Sequence, residues 1–122
     1  MTVEERYAYD GILSYLTFLD SIQTCNIPHL KNSVTAPEIS LCMAEQISQE
    51  AMHNQSYQYI IETIIPPERR NTVYDFWRTD KVLKDRCEFI ARMYQSYVSN
   101  PTTENYFVAI VADYLQIGRA HV

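Results

Sequence analysis

One stretch of the sequence places polar side chains where an amphipathic helix would bury apolar ones. Residues spaced alternately by four and three positions share one face of a helix. Here that face carries, in order, Ile39, Met43, Gln46, Glu50, His53, Tyr57, Ile60 and Ile64. Burying the carboxylate and imidazole in the middle of this face costs on the order of several kcal/mol unless a partner compensates them. A metal ion is one such partner.

Glu50 and His53 also have a spacing that is used to bind metals. Residues three apart on a helix project together, and Glu-x-x-His is the pattern with which helical bundles hold two metal ions between carboxylates. The preceding predicted helix provides an independent acid, because Asp20 shares an apolar face with Leu13 and Leu16 at the same spacing. Two helices that each place an acid at a core position favour one shared metal site.

Each of these residues also has a simpler interpretation, and a single Glu-x-x-His arises often by chance. Glu50 and His53 could form a solvated or hydrogen-bonded pair, and Asp20 could cap the end of its helix. Tyr57 could be a packed aromatic side chain with a satisfied hydroxyl, and Gln46 an ordinary buried amide. The combination of the residues with their spacing, rather than any one of them, favours the metal site.

Two predicted helices carry these residues. Both begin with a capping box, in which Thr is followed three residues later by Glu: Thr2 with Glu5, and Thr35 with Glu38. The first helix should end near Pro28, with a loop over residues 27–34. The second should run to Ile65, where Pro66–Pro67 stops it. This second helix should be the longest element and should pack against the first.

Three shorter helices complete the expected all-α domain. They should cover about Arg69 to Arg78, a stretch from the cap Asp80 to Asn100, and a stretch that begins at Thr102 or Thr103. The chain has only two glycines, and long proline-free stretches separate its prolines. This composition is typical of helices joined by short connections.

Composition and charge indicate one small domain and exclude several classes of function. The chain has 122 residues, of which 47% are hydrophobic, and its formal net charge of −5 makes a nucleic-acid-binding surface unexpected. The longest apolar run, residues 107–112, is too short to cross a bilayer, and no secretory signal is recognisable. The widely spaced cysteines without a C-x-x-C pair are typical of buried free thiols in a reducing cytoplasm.

Two short motifs resemble a known family. The first is Leu-Asp-Ser-Ile-Gln at residues 19–23. Thirty residues after its aspartate comes the second, Glu-x-x-His-x-x-Ser-Tyr at residues 50–57. Together they resemble the first half of the small, radical-generating subunit of class I ribonucleotide reductases, and the resemblance covers Arg6 to about Leu115.

The resemblance implies roles for residues of both motifs. Asp20, Glu50 and His53 would be metal ligands, and Tyr57 would hold the stable radical. Gln46, one turn before Glu50, would lie beside the metal site. The fold would be the first half of a ferritin-like helical bundle.

The resemblance also implies cofactors and partners for the full-length protein. Two iron ions, or manganese, would activate oxygen and oxidise Tyr57. A separate large catalytic subunit would then use the radical to make deoxyribonucleotides. The small subunit would be a cytoplasmic homodimer without a nucleic-acid or membrane partner.

The family's second set of ligands, another carboxylate and a second Glu-x-x-His, is not found in this sequence. The carboxylate would fall about a turn beyond Leu115, where the chain reads Gln-Ile-Gly-Arg-Ala-His-Val. Residues 117–122 are the translation of ATC GGA AGA GCA CAC GTC, part of a common sequencing adapter. We therefore predict a partial ferritin-like domain over residues 1–116 and a non-native tail at residues 117–122, so that His121 is not a ligand. This fragment should be inactive alone.

Two other functions remain open from the sequence. One is another ferritin-like di-iron oxidase, but such proteins commonly have glutamate on the first helix and lack a tyrosine at the position of Tyr57. The other is a non-enzymatic helical interaction domain, in which Glu50 and His53 would face solvent or a protein partner. The burial of these two side chains distinguishes the interaction domain from a metal site.

Overall fold

The computed structural model consists of helices joined by short connections. It describes the backbone of residues 1–120 and the side chains of residues 1–114. No strand occurs in the described backbone, which confirms the predicted all-α class. The helices of this part are α1 (Val3–Lys31), α2 (Pro37–Ile64), α3 (Pro67–Thr79), α4 (Lys81–Ser99) and α5 (Thr103–Ala120). The side chains of the predicted tail, residues 117–122, and the position expected for a third carboxylate lie outside the described residues.

Three helices begin at the polar side chains that the sequence predicts. Thr2 and Glu5 exchange both hydrogen bonds of a capping box at the start of α1. The Asp80 carboxylate accepts from two backbone N–H groups in the first turn of α4. The Thr102 hydroxyl accepts from a backbone N–H at the start of α5. These side chains satisfy donors that the first turn of a helix leaves without a partner.

The second predicted capping box is wrong. Helix α2 begins at Pro37 with Ala36 in the cap position, and no side-chain hydrogen bond caps it. Proline is favoured at the first helical position because its φ already suits the helix and it has no N–H that needs a partner. The start therefore depends on Pro37 rather than on Thr35 and Glu38.

Helix α1 continues through Pro28 to Lys31, so its predicted end and the predicted loop over residues 27–34 are wrong. A proline inside a helix removes one hydrogen bond and crowds the preceding turn. Ile27 and Leu30, on either side of it, are fully buried, and their burial offsets this cost. With 29 residues, α1 is one residue longer than α2, which has 28 and is not the longest element as predicted.

Helix α1 is the central element of the fold. It contacts each of the other four described helices, and it contacts α2 most extensively, as the sequence predicts. Helix α3 is attached to it by Phe18, which stacks on Trp77 with ring centroids 3.7 Å apart. A second attachment is the ion pair of Arg69 with the buried carboxylate of Asp10.

The buried apolar side chains form two clusters on α1. The larger cluster contains Leu19, Ile27, Leu30, Met43, Cys87, Ile90, Tyr94, Tyr97 and Ala109. The smaller cluster contains Leu13, Ile61, Ile65 and Val73. Cys87 is buried, but Cys25 and Cys42 are exposed free thiols. The prediction that all three cysteines are buried is therefore wrong for two of them.

The apolar ends of the predicted face of α2 do not reach the core. Ile39 and Ile64 are more than half exposed, whereas Ile61 and Ile65 are fully or almost fully buried. A face drawn at alternating spacings of four and three drifts by about 20° per seven residues relative to a straight helix. Over the length of α2 this drift moves the end of the drawn face out of the core.

The outer face of α5 is apolar and exposed. Phe107, Val111 and Tyr114 are each more than half exposed, while Ala109 and Ala112 turn inward. Exposed apolar faces of this kind are typical of surfaces that another protein segment covers. No described helix is both long enough and apolar enough to cross a membrane.

Two isoleucines of α1 test whether the core extends to the segment beside Pro28. Ile27→Ala should lower the free energy of unfolding of the 122-residue chain by about 2–5 kcal/mol, because it leaves a cavity in the larger cluster. Ile12→Ala, at a position 56% exposed on the same helix, should change it by less than about 0.5 kcal/mol. Urea titration followed by circular dichroism measures both. Equal effects would mean that α1 is not packed beyond residue 26.

Candidate metal centre

The structure brings together three side chains that the sequence singles out as metal ligands. Asp20 lies on α1, and Glu50 and His53 lie on α2. Each offers one ligand atom, and the three atoms all lie within 4.8 Å of one another. Both carboxylates are buried, at 7% exposure each, whereas the His53 side chain is 43% exposed. The site therefore opens towards solvent on the side of the imidazole.

The contact between α1 and α2 positions these residues. Glu50 and His53 are one helical turn apart, with His53 Nδ1 3.6 Å from Glu50 Oε2. Asn54, the residue after His53, donates from Nδ2 to the backbone carbonyl of Thr17 at 2.6 Å. Thr17 is three residues before Asp20, so this hydrogen bond fixes the register of the two helices next to the site.

Burial and a neighbouring acid perturb the Asp20 carboxyl group. Desolvation is the largest cause, and the charge of Glu50 adds to it, so that the pKa of Asp20 rises to about 7. His53 acts in the opposite direction and lowers this pKa. Two carboxylates at such short range disfavour each other's ionised form, and a bound cation would remove this penalty for both.

The donor atoms fit a transition-metal ion. Asp20 Oδ2 is buried and has no hydrogen-bond partner among the described residues, although buried carboxylate oxygens are normally paired. Carboxylate oxygens together with one imidazole suit iron or manganese and leave coordination positions open. The unpartnered oxygen, the second buried acid and the imidazole are thus the features of one part of a metal site.

Tyr57 lies on α2, four residues after His53, and its side chain is half-buried. Burial is the largest cause that raises the pKa of its phenol, followed by the charges of Asp20 and Glu50. Its hydroxyl therefore remains protonated at neutral pH. The influence of both acids places the phenol beside the candidate metal centre.

The structure also shows a buried polar network that the sequence does not predict. Gln46, expected beside the site, donates from Nε2 to Asp113 Oδ2 at 2.8 Å. The Asp113 carboxylate also accepts from Gln23 Nε2 at 3.0 Å and from the Tyr94 hydroxyl at 2.6 Å, both on Oδ1. The sequence signal for this network is Asp113 itself, an acid that directly follows the apolar run of residues 107–112.

Comparison with known proteins identifies the family. The family model described as "Ribonucleotide reductase, small chain" matches residues 1–118. The chain belongs to this family. A similar curated protein is the ribonucleoside-diphosphate reductase subunit beta of Treponema pallidum, which is 42% identical over 114 residues. The subunit beta of Aquifex aeolicus is 34% identical over 111 residues.

A solved structure supports the same relation. The ribonucleotide reductase R2 subunit of Clostridium botulinum matches this chain with a TM-score of 0.88 and 42% sequence identity. The match covers 93% of this chain and 36% of that subunit. Among the curated relatives, the match covers 93% of this chain and 32% of the Treponema protein, and 91% of this chain and 16% of the Aquifex protein. The chain thus spans about a third or less of the proteins that it matches.

The family match and the burial of the site residues bear on the two alternatives that the sequence leaves open. The family match confirms the predicted ribonucleotide reductase relationship over another ferritin-like oxidase. The interaction-domain hypothesis requires Glu50 and His53 to face solvent or a partner. Glu50 is buried beside Asp20, whereas the His53 side chain is 43% exposed, so the requirement fails for Glu50 only. The acidic pair therefore belongs to the interior of the helix pair.

The Asp20 carboxyl group predicts how the stability of the metal-free chain depends on pH. Its pKa is about 7 in the folded chain, against an ordinary value of about 4 in the unfolded chain. The bound proton favours folding below about pH 4, and this contribution is lost as the pH rises through about 7. Asp20→Asn cannot ionise, so its Tm relative to the parent should be higher at about pH 8 than at about pH 5.

Thermal unfolding in the presence of a chelator measures this difference. Asp75→Asn is the matched control, because Asp75 is an exposed aspartate at the surface of α3. Its Tm relative to the parent should change little between the two pH values. The same small change in Asp20→Asn would contradict a desolvated Asp20.

Proposed function

We propose that this chain provides the first half of the di-metal site of a ribonucleoside-diphosphate reductase small subunit. The observation that carries the proposal is the convergence of Asp20, Glu50 and His53 within 4.8 Å, with both acids buried. The family match supports it, since the relatives are named as the beta subunits of that enzyme. The chain corresponds to about a third of the Treponema relative, so the activity belongs to the full-length protein.

Asp20, Glu50 and His53 would hold metal, and they amount to half of a ligand set. Ferritin-like bundles bind two metal ions with one acid from each of two helices and a Glu-x-x-His from each of the other two. In this chain Asp20 is the single acid, and Glu50 with His53 is one of the two pairs. The remaining acid and the second pair would come from outside the described residues. When bound, two iron or manganese ions would provide the oxygen chemistry that oxidises Tyr57.

Tyr57 is the residue we propose as the radical site. It follows His53 by one turn on the same helix, and its raised pKa keeps the phenol neutral. A neutral phenol loses a proton together with an electron when it is oxidised. Asp20 and Glu50 are the two acids whose charges act on this hydroxyl, the group from which the proton would leave.

The proposal extends to the partners of the full-length protein. A tyrosyl radical at Tyr57 would serve a separate large catalytic subunit that reduces ribonucleotides to deoxyribonucleotides. The small subunit would form a homodimer in the cytoplasm. Further helices of the full-length small subunit would cover the apolar outer face of α5, where Phe107, Val111 and Tyr114 are exposed.

Because this chain has only half of the proposed ligand set, it should differ from the full-length protein in iron binding and in radical formation. Ligand number governs metal affinity and the geometry needed to activate oxygen. The 122-residue chain should therefore bind iron weakly and give no tyrosyl radical after addition of ferrous iron and oxygen. The full-length protein should bind two iron ions and give the radical. Electron paramagnetic resonance and iron analysis measure both properties.

Two variants of the full-length protein separate metal binding from radical formation. Tyr57→Phe should lose the tyrosyl signal and keep the iron, because a phenylalanine ring has no hydroxyl to oxidise. Glu50→Gln should lose both, since it removes a buried ligand. A tyrosyl signal from the 122-residue chain itself, or one that persists in Tyr57→Phe, would contradict the proposed function.

A further inference from the structure

The Asp113 carboxylate lies at the meeting point of four helices. It is 4% exposed and is located on α5, where it accepts hydrogen bonds from Gln23 of α1, Gln46 of α2 and Tyr94 of α4. Tyr94 and Gln23 are themselves almost fully buried. Hydrogen bonds from three other helices to one buried carboxylate fix the relative positions of the four helices that contribute to the network.

The three donors to Asp113 among the residues with described side chains are neutral. No ion pair involves Asp113 in the part of the chain whose side chains are described. Hydrogen bonds from amides and a phenol stabilise the carboxylate, but they leave its negative charge in the protein interior. A cation bound nearby would be attracted by this charge, because the interior screens it much less than water does.

The candidate metal centre is the place where such a cation would bind. Gln46 precedes Glu50 by one turn of α2, and Gln23 follows Asp20 by three residues of α1, so both amides project next to a proposed ligand. The Tyr94 hydroxyl provides an independent indication of distance. Burial is the largest cause that raises its pKa, and the charges of Asp113 and of Glu50 add to it, so these two carboxylates act on the same hydroxyl.

We propose that Asp113 is a positioning residue of the metal centre, which orients the Gln23 and Gln46 amides beside Asp20 and Glu50 and attracts the metal ions through its buried negative charge. This inference rests on the proposed metal site. Asp113 is not a ligand in this arrangement, because it lies outside the group of converging ligand atoms found among the described residues. Its effect is therefore indirect and passes through charge and through the two amides.

The hydrogen-bond pattern requires a carboxylate at this position. A carboxylate is an acceptor on both oxygens, whereas an asparagine side chain has one oxygen and one NH₂ group. In Asp113→Asn the NH₂ group would face the NH₂ group of Gln46 or Gln23, and the negative charge would be gone. Both parts of the proposed role are removed with little change in volume.

A second substitution can restore both parts. In Asp113→Asn combined with Gln46→Glu, the new amide at position 113 would donate to the new carboxylate at position 46, and its oxygen would still accept from Gln23 and Tyr94. The number of hydrogen bonds and the total charge are then those of the parent, with the charge moved to α2, one turn from Glu50. This exchange keeps a negative charge near the metal but moves it from the side chain at position 113 to the side chain at position 46.

The test is the affinity of the full-length protein for Mn²⁺ without oxygen, measured from the electron paramagnetic resonance signal of the free ion. Asp113→Asn should weaken binding by about 10- to 100-fold, the range typical of residues that orient metal ligands. Asp113→Asn with Gln46→Glu should recover most of that loss. Asp10→Asn is the matched control, because Asp10 is a buried aspartate paired with Arg69 and lies about 15 Å along α1 from Asp20.

The results for the variants distinguish a positioning role of Asp113 at the metal centre from a purely structural role. Asp10→Asn should lower Tm and leave Mn²⁺ affinity unchanged. The same result for Asp113→Asn would overturn the inference and leave Asp113 a structural residue. Failure of the double variant to recover affinity, at a Tm equal to the parent's, would also overturn it. If Glu50→Gln does not weaken Mn²⁺ binding, the proposed metal site itself is wrong. If Glu50→Gln weakens Mn²⁺ binding but Asp113→Asn does not, only the inference about Asp113 is overturned.

Discussion

The fold keeps two carboxylates next to each other in a place where each disfavours the ionised form of the other. Asp20 and Glu50 lie on the facing sides of α1 and α2, both are 7% exposed, and burial raises the pKa of Asp20 to about 7. Such an arrangement costs stability, and it persists because the rest of the helix pair is well packed. Leu19 beside Asp20 and Met43 two turns before Glu50 belong to the larger apolar cluster, and the hydrogen bond from Asn54 to Thr17 fixes the register.

Much of the fold follows from local sequence signals. Thr2, Asp80 and the double proline after Ile65 define helix ends through the hydrogen bonds of a single turn, so they can be recognised without knowledge of the tertiary structure. Pro28 is the instructive exception. Its local cost ends most helices, but in α1 it is offset by the burial of Ile27 and Leu30 against elements far along the chain. The sequence alone does not show which helices pack against that segment.

The residues of the candidate site likewise fall into those that local sequence signals predict and those that only the tertiary structure brings together. Glu50 and His53 are brought together by helical spacing, and Asp20 is recognisable as an acid on an apolar face. The partners of Asp113 are distributed over three other helices, with Gln23 ninety residues away in the chain. No periodicity links such residues, so this part of the site becomes visible only when α5 is placed against α1 and α2.

The three residues of the candidate centre lie in one helical hairpin, since α1 and α2 are joined by residues 32–36 alone. Contacts between neighbouring helices form early in folding, because closing a short connection costs little chain entropy. The acid pair and the imidazole can therefore meet before the later helices are in place. The Asp113 network joins residues up to ninety positions apart in the chain, so its closure costs more chain entropy. Loop-closure entropy thus favours an order of assembly in which the ligands of one half meet first and the surrounding amides are fixed last.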